Sequence, residues 1–344
     1  MTTLVTGATG LLGNNLVRLL LEQGADVRVL VRPQSDLRSL AGLDVQVIEG
    51  DVRDATAVDA ACHGVQRVLH AAARVHIGWS GSQHLWSVNV DGTRNVCAAA
   101  RKMGARMVHV SSVDALNPGK LEAPGTEESP AACPVDCPYV LTKRAAEQVV
   151  LEAVGHDLDA VIVNPAFLLG PWDWKPSSGK MLISVASNWG IFAPPGGNDF
   201  CDVRDVATGI VLAAQHGRVG QRYILGGHSW SYLEAWRLFA RVTGAFSPLR
   251  AVRPWFLRSM GAIGDLAGWV RGREGDVNSA ATALSMLPRH SSSARAIAEL
   301  GYSFRPLEVT VRDAWHWFQE YGRFQEHGHL LARQKRPQAD SAWS

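Results

Sequence analysis

Hydrophobic and polar positions alternate in blocks through the first half of the chain. Short apolar runs rich in β-branched residues predict strands at residues 3–6, 27–31, 45–48, 67–71, 107–110 and 160–163. Between them, apolar residues recur with a helical period and predict helices at 11–22, 56–61, 84–102 and 139–154. Strands that alternate with helices form βαβ units around a parallel sheet with both faces covered. The first half therefore predicts an α/β fold with a doubly wound parallel sheet.

The pattern changes after Gly170. Pro, Gly, Ser and Trp are frequent up to about Asn198, which favours long loops and short helices over regular strands. A helix at 205–215 and a strand at 222–225 follow, and the C-terminal third is mostly helical in its pattern. The irregular stretch is typical of a binding loop beside a regular scaffold.

These changes predict a division of the chain. We expect a cofactor-binding domain over 1–165, to which 200–226 returns. Residues 166–199 and 227–332 would form a smaller, mostly helical substrate lobe. The polar stretch 333–344 is expected to be a frayed tail.

Composition restricts the function classes. The 344 residues are 47% hydrophobic and 19% charged, with a formal net charge of +2. Neither a disordered chain nor an electrostatic nucleic-acid binder is expected from this balance. A small molecule is therefore the expected partner.

Five cysteines are scattered along the chain, at Cys62, Cys97, Cys133, Cys137 and Cys201. The odd count fits reduced thiols and a cytoplasmic location. Cys133 and Cys137 are spaced CxxxC, and no second Cys or His pair lies near them in the sequence to complete four ligands. We expect no metal.

No membrane partner is expected. The glycine-rich motif begins within the first ten residues, without a basic region and an apolar run before it, so no signal peptide is expected. The segment 255–269 is apolar in places, but Arg258, Gly261, Gly264 and Asp265 interrupt it. We expect this segment to be a helix packed on the substrate lobe.

The glycine-rich sequence TGATGLLG lies between the first predicted strand and the first predicted helix. Its first glycine permits a tight turn, the second permits close approach of a pyrophosphate, and the third permits close packing of helix and strand. This context predicts a dinucleotide site with contacts from Gly7, Thr9, Gly10, Leu11, Leu12 and Gly13.

Cofactor choice is decided at the end of the second strand. An NAD site usually has an acidic residue there for the ribose diol, whereas an NADP site has Arg. This chain has Arg32 there and Ser35 shortly after, and the first acid, Asp36, follows a proline. Because guanidinium is a permanent, bidentate phosphate partner, NADP is expected and NAD is the alternative. A solvated surface arginine is the structural alternative for Arg32.

Two further motifs follow later strands. In EGDVRD, Asp51 and Val52 are placed to contact the adenine, with the carboxylate accepting from its amino group. In HAAA, the small residues Ala71, Ala72 and Ala73 permit close approach to the cofactor. His70 of the same motif is better explained as a buried core histidine.

The chain resembles the extended short-chain dehydrogenase/reductases, in particular their dihydroflavonol reductase-like and hopanoid-associated sugar epimerase-like branch. The likeness covers residues 2–228 and rests on motifs in the family's order: TGATGLLG, VLVRP, EGDVRD, HAAA, NVDGTRNV, VSSV, YVLTK, VNPAFLLGP and YILGG. It implies an NAD(P)-bound Rossmann fold with a C-terminal substrate lobe. A homodimer formed through the helices that carry Asn89 and Tyr139 is also implied.

The resemblance assigns roles to single residues. Ser112, Tyr139 and Lys143 match the catalytic trio, and Asn89 matches the asparagine that supports the site. The matching motifs also imply cofactor contacts from Val110, Ser111, Tyr139, Lys143, Asn164 and Pro165, with Lys143 holding the nicotinamide ribose. Where the family often has an HVDD-like stretch, this chain has CDVRD at 201–205, so the polar contacts of that loop are not carried over.

Reduction of a ketone needs a hydride at carbon and a proton at oxygen, and Tyr139 can supply the proton. A phenol with a pKa of about 10 is a poor acid–base group near neutral pH. Lys143 lies one helical turn away, where its ammonium would stabilise the phenolate and lower that pKa. Ser112 would orient the substrate oxygen, and Pro138 suits the start of the helix.

The twelve tryptophans bear on the substrate. Trp172, Trp174 and Trp189 lie in the irregular segment, and Trp79 and Trp86 follow the fourth strand. Rings of this kind favour an apolar or ring-containing substrate, with ordinary core packing as the equal alternative.

Three functions are therefore consistent with these residues. The first is an NADP-dependent oxidoreductase that reduces a ketone or aldehyde, or oxidises the alcohol, of a hydrophobic or ring-containing small molecule by hydride transfer. The second is a nucleotide-sugar epimerase or dehydratase with tightly bound NAD(P), and the third is a non-catalytic NADP(H)-sensing regulator. Arg32 favours the first, since no basic cluster for a sugar diphosphate is apparent beyond Lys175, Lys180 and Arg204.

Overall fold

The computed structural model describes residues 1–130 and 133–321. The strands are β1 Thr2–Thr6, β2 Asp26–Val31, β3 Gln46–Glu49, β4 Arg67–His70, β5 Arg106–Val110, β6 Ala160–Pro165, β7 Phe167–Leu169, β8 Phe192–Ala193, β9 Gly197–Asp202, β10 Arg222–Leu225, β11 His228–Ser231, β12 Arg250–Ala251 and β13 Pro288–Arg289. The helices are α1 Leu11–Glu22, α2 Ala55–Cys62, α3 Ser82–Trp86, α4 Gly92–Met103, α5 Pro138–Val154, α6 Gly179–Ala186, α7 Val203–His216, α8 Tyr232–Thr243, α9 Pro254–Arg271, α10 Ser279–Ser285, α11 Ala294–Leu300 and α12 Leu307–Glu320. The predicted tail from Arg333 and the end of the predicted lobe, 322–332, lie outside the described residues.

Seven parallel strands form the main sheet, in the order β10-β6-β5-β4-β1-β2-β3. The order reverses direction beside β1, which makes this a doubly wound Rossmann sheet and confirms the predicted fold class. Thr6 of β1 pairs with His70 of β4, and His70 pairs with His109 of β5. The carboxyl ends of β1, β4 and β5 therefore meet at one edge of the sheet.

Helices cover both faces of this sheet. On one face α1, α7 and α11 pack over a core that includes Leu16, Val29 and Ile210. On the other, α2, α4 and α5 pack over a core that includes Val68, Val96 and Ile162. Burial on both faces explains why these strands are nearly continuous apolar runs.

The second lobe is built around β9. This strand pairs with β11 antiparallel and with β7 and β13 parallel, and α6, α8 and α12 pack beside it. The expectation of loops and short helices over 171–198 holds for α6, but the short strand β8 within this segment, and β7 and β9 on either side of it, were not predicted. The reason is that all six residues of β9 are buried, so its sequence GNDFCD lacks the alternation typical of a half-buried strand.

The predicted helix 84–102 is interrupted in the structure. It consists of α3, a π-helical turn at Ser87–Asp91 and α4. The π turn carries Asn89, and such turns occur frequently at functional sites. Within the described part of the chain, no helix is both long and apolar enough to cross a bilayer.

Candidate active site

The glycine loop packs so tightly that side chains would not fit. Gly7 has φ of +75°, and a Cβ on it would lie 2.7 Å from the backbone of Ala71 and Ala72. A Cβ on Gly13 would lie 2.1 Å from the Gly7 carbonyl oxygen. Gly10 precedes α1 and is exposed, and its backbone N–H donates to Gly7 at 3.0 Å. This loop, with the open N-terminus of a twelve-residue helix behind it, fits a dinucleotide pyrophosphate.

The predicted cofactor residues around this loop lie near one another. Thr9, Leu11 and Leu12 are partly exposed at the start of α1. The backbone N–H of Ala72 donates to the Thr6 hydroxyl at 3.2 Å, and Ala73 beyond it is exposed. The loop and the HAAA segment thus border one space at the edge of the sheet.

His70 does not face that space. Its ring is buried between the hydroxyls of Thr6, at 2.7 Å, and Thr93, at 3.0 Å. Burial, with a smaller effect of Lys143, lowers the pKa of His70 to about 3. It is a neutral core histidine, as the sequence indicated.

A groove of about 660 Å³ lies beyond the end of β2. Arg32, Ser35, Asp51, Arg53 and Lys175 are among the residues that line it. Arg53 is held by Asp51 at 2.9 Å. Neither Arg32 nor Lys175 forms an ion pair with another residue in the described ranges, so two cations in this groove are available to an anion.

Asp51 and Val52 differ in what they offer an adenine. Arg53 donates to both carboxylate oxygens of Asp51, each at 2.9 Å, so the predicted contact with an amino group competes with an internal ion pair. Val52 is buried against Gly92, and its carbonyl accepts from the Asn95 amide at 2.9 Å. The Val52 side chain can contribute a close apolar contact.

Helix α5 carries the predicted catalytic residues. Pro138 is its first residue, and Tyr139, Lys143 and the unpredicted Glu147 follow at intervals of four. Residues spaced in this way share one helical face. All three are buried, so α5 presents a phenol, an ammonium and a carboxylate to the interior at the edge of the sheet.

Lys143 is anchored to the fifth strand. Its Nζ donates to the Val110 carbonyl at 3.0 Å. Burial lowers the pKa of Lys143 to about 8, against the opposing effects of Glu147 and Asp114. The ammonium is therefore close to its titration point under physiological conditions.

Tyr139 is more firmly protonated than the sequence predicted. Burial raises the pKa of Tyr139 first, and the Asp114 carboxylate raises it further, while the nearby Ser112 side chain lowers it. Lys143, whose ammonium donates to the Val110 carbonyl, is not among the main causes of this shift. The Tyr139 phenol is thus held in its protonated form at neutral pH.

The residues around Ser112 form a buried polar network. The Ser112 hydroxyl accepts from the Asp114 backbone at 3.2 Å. The Asn164 amide donates to the Ser112 carbonyl at 2.9 Å and to Glu147 at 2.6 Å. Ser111 is buried beside it, and Pro165 closes strand β6. Asn164 therefore links β5, β6 and α5 behind the trio.

Residues 3–226 match the sequence profile of the NAD dependent epimerase/dehydratase family. The chain belongs to this family. It is an NAD(P)-dependent oxidoreductase that acts on CH–OH groups.

Proteins of similar sequence align with nearly the whole length of the enzyme. Sterol demethylase protein B of Methylococcus capsulatus is 37% identical over 94% of this chain and 99% of its own length. A putative dihydroflavonol 4-reductase of Synechocystis is 34% identical over 92% and 94%. The crystal structure of gox2253 superposes with a TM-score of 0.82 at 34% identity, covering 94% of this chain and 99% of that one.

The enzyme has a second buried group that the sequence did not indicate. Arg289 of β13 donates to Asp114 at 2.5 Å and to the Tyr232 hydroxyl at 3.0 Å. Arg289 and Asp114 affect the pKa of Tyr139 in opposite directions, so this pair adjoins the catalytic phenol. Because the two partners are 175 positions apart in the sequence, no local pattern could have identified the pair.

Asn89 joins two segments of the enzyme through hydrogen bonds. Its amide donates to the Arg74 carbonyl and the Thr142 hydroxyl, each at 3.1 Å, and its carbonyl accepts from the Arg74 backbone at 2.8 Å. It joins the segment after β4 to α5. The structure gives it contacts that position α5, and none with Tyr139 or Lys143 themselves.

The tryptophans considered as substrate contacts have different surroundings. Trp172 and Trp174 contact Trp317 of α12, and Arg18 lies 3.3 Å over the Trp172 ring. Trp189 is 72% exposed. For Trp172 and Trp174, lobe packing is the structural explanation.

The CDVRD motif at 201–205, which differs from the family's usual sequence, forms a helix cap and ion pairs within the protein. Asp202 caps α7 and binds Arg204 at 2.7 Å, and Asp205 binds Arg305 at 2.7 Å. Cys133 and Cys137 are buried free thiols, and no metal-ligating cluster occurs among the residues that the structure describes.

Proposed function

We propose that this enzyme is an NADPH-dependent reductase of a ketone or aldehyde on a hydrophobic, ring-containing small molecule. The observation that carries the proposal is the setting of Tyr139. A buried, protonated phenol lies among apolar side chains at the edge of a dinucleotide-binding sheet. Such a phenol suits proton donation to a carbonyl oxygen that becomes negative.

The residues divide the chemistry between them. A dinucleotide held at the glycine loop would supply the hydride for the carbonyl carbon. Tyr139 gives its proton to the oxygen, and Ser112 donates a hydrogen bond to the same oxygen. Lys143 lies on the same helical face one turn away, where it can stabilise the phenolate that remains. The Asp114–Arg289 pair fixes the local field around the phenol.

The surroundings of Tyr139 favour an apolar substrate. Its ring belongs to a cluster with Leu85, Cys133, Val135 and Leu284 from three separate segments. Apolar walls with few polar groups are typical of small-molecule sites for hydrophobic ligands. The names of the two relatives above refer to a sterol and a dihydroflavonol, both ring compounds.

The free cations favour NADP. Arg32 and Lys175 line the groove at the end of β2, which is where this fold accommodates a ribose 2′-phosphate. Two unpaired cations there suit a dianionic group better than a neutral diol.

The epimerase alternative is less well supported. A nucleotide-sugar diphosphate needs cations in the substrate lobe. Lys180 is paired with Asp276, and Arg204 with Asp202 and Asp313. The cations expected from the sequence are therefore dispersed, and no diphosphate site is assembled from them.

Turnover on a mixed panel tests the proposal. The purified enzyme is incubated with NADPH and flavanonols, ketosteroids, simple aldehydes or UDP-sugars, while cofactor oxidation and sugar epimerisation are followed. We expect NADPH oxidation with an apolar ketone. Tightly bound NAD, with epimerisation and no NADPH consumption, would identify an epimerase instead. Cofactor binding without turnover of any compound would favour the regulator.

A further inference from the structure

Helix α9 has an apolar face turned outward. Ile263, Leu266, Trp269 and Val270 are exposed by 67%, 61%, 80% and 71% of their surface. Together with Trp255 they share one side of the helix at the spacing of 3.6 residues per turn. A helix at the surface of a water-soluble protein normally carries polar residues on its outward side.

The opposite side of α9 is fixed in place by small residues. Gly261 and Gly268 are buried, and α9 packs against α10. A Cβ on Gly261 would lie 2.3 Å from the Thr282 hydroxyl, and one on Gly264 would lie 2.0 Å from the Val277 carbonyl oxygen. Because only glycine fits there, α9 cannot rotate to bury its apolar side.

Two neighbouring segments extend the apolar surface. Ile191 and Phe192 are exposed beside Leu249, whose backbone donates to the Ile191 carbonyl at 3.0 Å. Phe246, which is 77% exposed, donates to the Asn188 side chain at 2.8 Å. From Phe246 the chain continues through β12 into α9.

Arginines accompany this surface. Within 246–273 the only acidic residue is Asp265, which accepts from the Ser279 backbone at 3.0 Å. The same stretch has five exposed arginines, and none of them forms an ion pair within the described structure: Arg250, Arg253, Arg258, Arg271 and Arg273. The stretch thus combines a net positive charge with exposed aromatic and aliphatic side chains.

We propose that this surface, named here the α9 face, docks on a lipid bilayer with anionic headgroups. Exposed aliphatic and Trp side chains enter the interfacial layer, while arginines around them pair with lipid phosphates. A second copy of the chain is a poorer occupant, since facing copies would bring ten unpaired arginines together. The helix lies on the membrane and does not span it.

This proposal departs from the sequence expectation of no membrane partner. The sequence pattern showed only that 255–269 is interrupted by Arg and Gly, whereas the structure places those glycines on the inner side. Docking would give a reductase access to an apolar substrate dissolved in the bilayer, a consequence that rests on the proposed function. The docking itself does not depend on it.

Vesicle binding by the full chain tests the proposal. Co-sedimentation is measured with phosphatidylcholine vesicles, with and without phosphatidylglycerol, for the wild type and three variants. We expect wild-type binding to the anionic vesicles, with a blue shift of tryptophan fluorescence and weakening by salt. I263E/L266E should abolish it, and R258Q/R271Q should weaken it about fivefold per arginine.

The matched control is V219E/I297E, which places the same charges at two other exposed aliphatic positions and should bind vesicles like the wild type. Circular dichroism and NADPH binding establish that each variant is folded. Wild-type protein that stays in the supernatant with anionic vesicles overturns the proposal, as does equal loss in the control. A wild-type dimer that I263E/L266E converts to monomer, without vesicle binding, would assign the face to a second copy.

Discussion

Tyr139 is a phenol removed from water, and its immediate neighbours set its charge. Burial and Asp114 keep it protonated, while Ser112 and Arg289 favour the phenolate. The sequence motifs led to Ser112, Tyr139 and Lys143, and the structure brings them to one edge of the sheet. Asp114, Arg289 and Tyr232 could not be predicted, because their association depends on how the second lobe folds back over the site.

Neutralising Asp114 should shift the pH dependence of reduction. Because the carboxylate raises the pKa of both Tyr139 and Lys143, Asp114→Asn lowers both. The alkaline limb of the rate at saturating substrate should therefore move to lower pH. The control is Asp136→Asn, an exposed carboxylate paired with Arg144, which should leave the limb in place. A limb that is unchanged, or moved to higher pH, in Asp114→Asn would exclude this role.

Arg32 is expected to determine the cofactor preference. Arg32→Ala removes a cation without an internal partner, so the ratio of kcat/KM for NADPH over NADH should fall at least about tenfold. Arg38→Ala removes an arginine of the same loop that is paired with Asp36, and it should leave the ratio within about twofold. Equal ratios in wild type and Arg32→Ala would contradict the NADP assignment.

At the scale of elements, the sequence predicted best those helices and strands in which hydrophobic residues recur with a clear period. The bounds of α1 and β10 agree with the expectation, and α5 begins one residue earlier. Strand β9 was missed because Asn198, Asp199 and Asp202 look like loop residues. Their polar groups are buried and bound to partners from distant segments, for example Ser229 and Ser291 on Asp199.

Helix α5 should depend on Glu147 for its position. This carboxylate joins α5 to Arg222 of β10 at 2.7 Å and to Asn164 of β6 at 2.6 Å. Glu147→Ala removes the carboxylate partner of Arg222 and one of the two acceptors of Asn164, and it should lower the free energy of unfolding by about 3 kcal/mol. Glu152→Ala, an exposed site on the same helix, should cost under about 0.5 kcal/mol. Urea denaturation followed by circular dichroism compares them, and equal midpoints would refute the anchoring role.

At the scale of the whole molecule, the candidate active site lies between two parts that have separate hydrophobic cores. The Rossmann sheet contributes the glycine loop and α5, and the second lobe contributes Arg289 and Tyr232. The doubly wound sheet could be predicted from alternation alone, since its strands and helices are sequential. The second lobe could not, because β7, β9, β11 and β13 pair across long stretches of chain.

The central claim is that Tyr139 protonates a carbonyl oxygen while NADPH is oxidised. Its most direct test is transfer of deuterium from NADPH labelled at the transferable position to an apolar ketone, followed by mass spectrometry of the alcohol. We predict one deuterium in the wild-type product. Tyr139→Phe should bind NADPH normally and form that product at least about a hundredfold more slowly. Near-normal deuterium transfer by Tyr139→Phe would contradict the account.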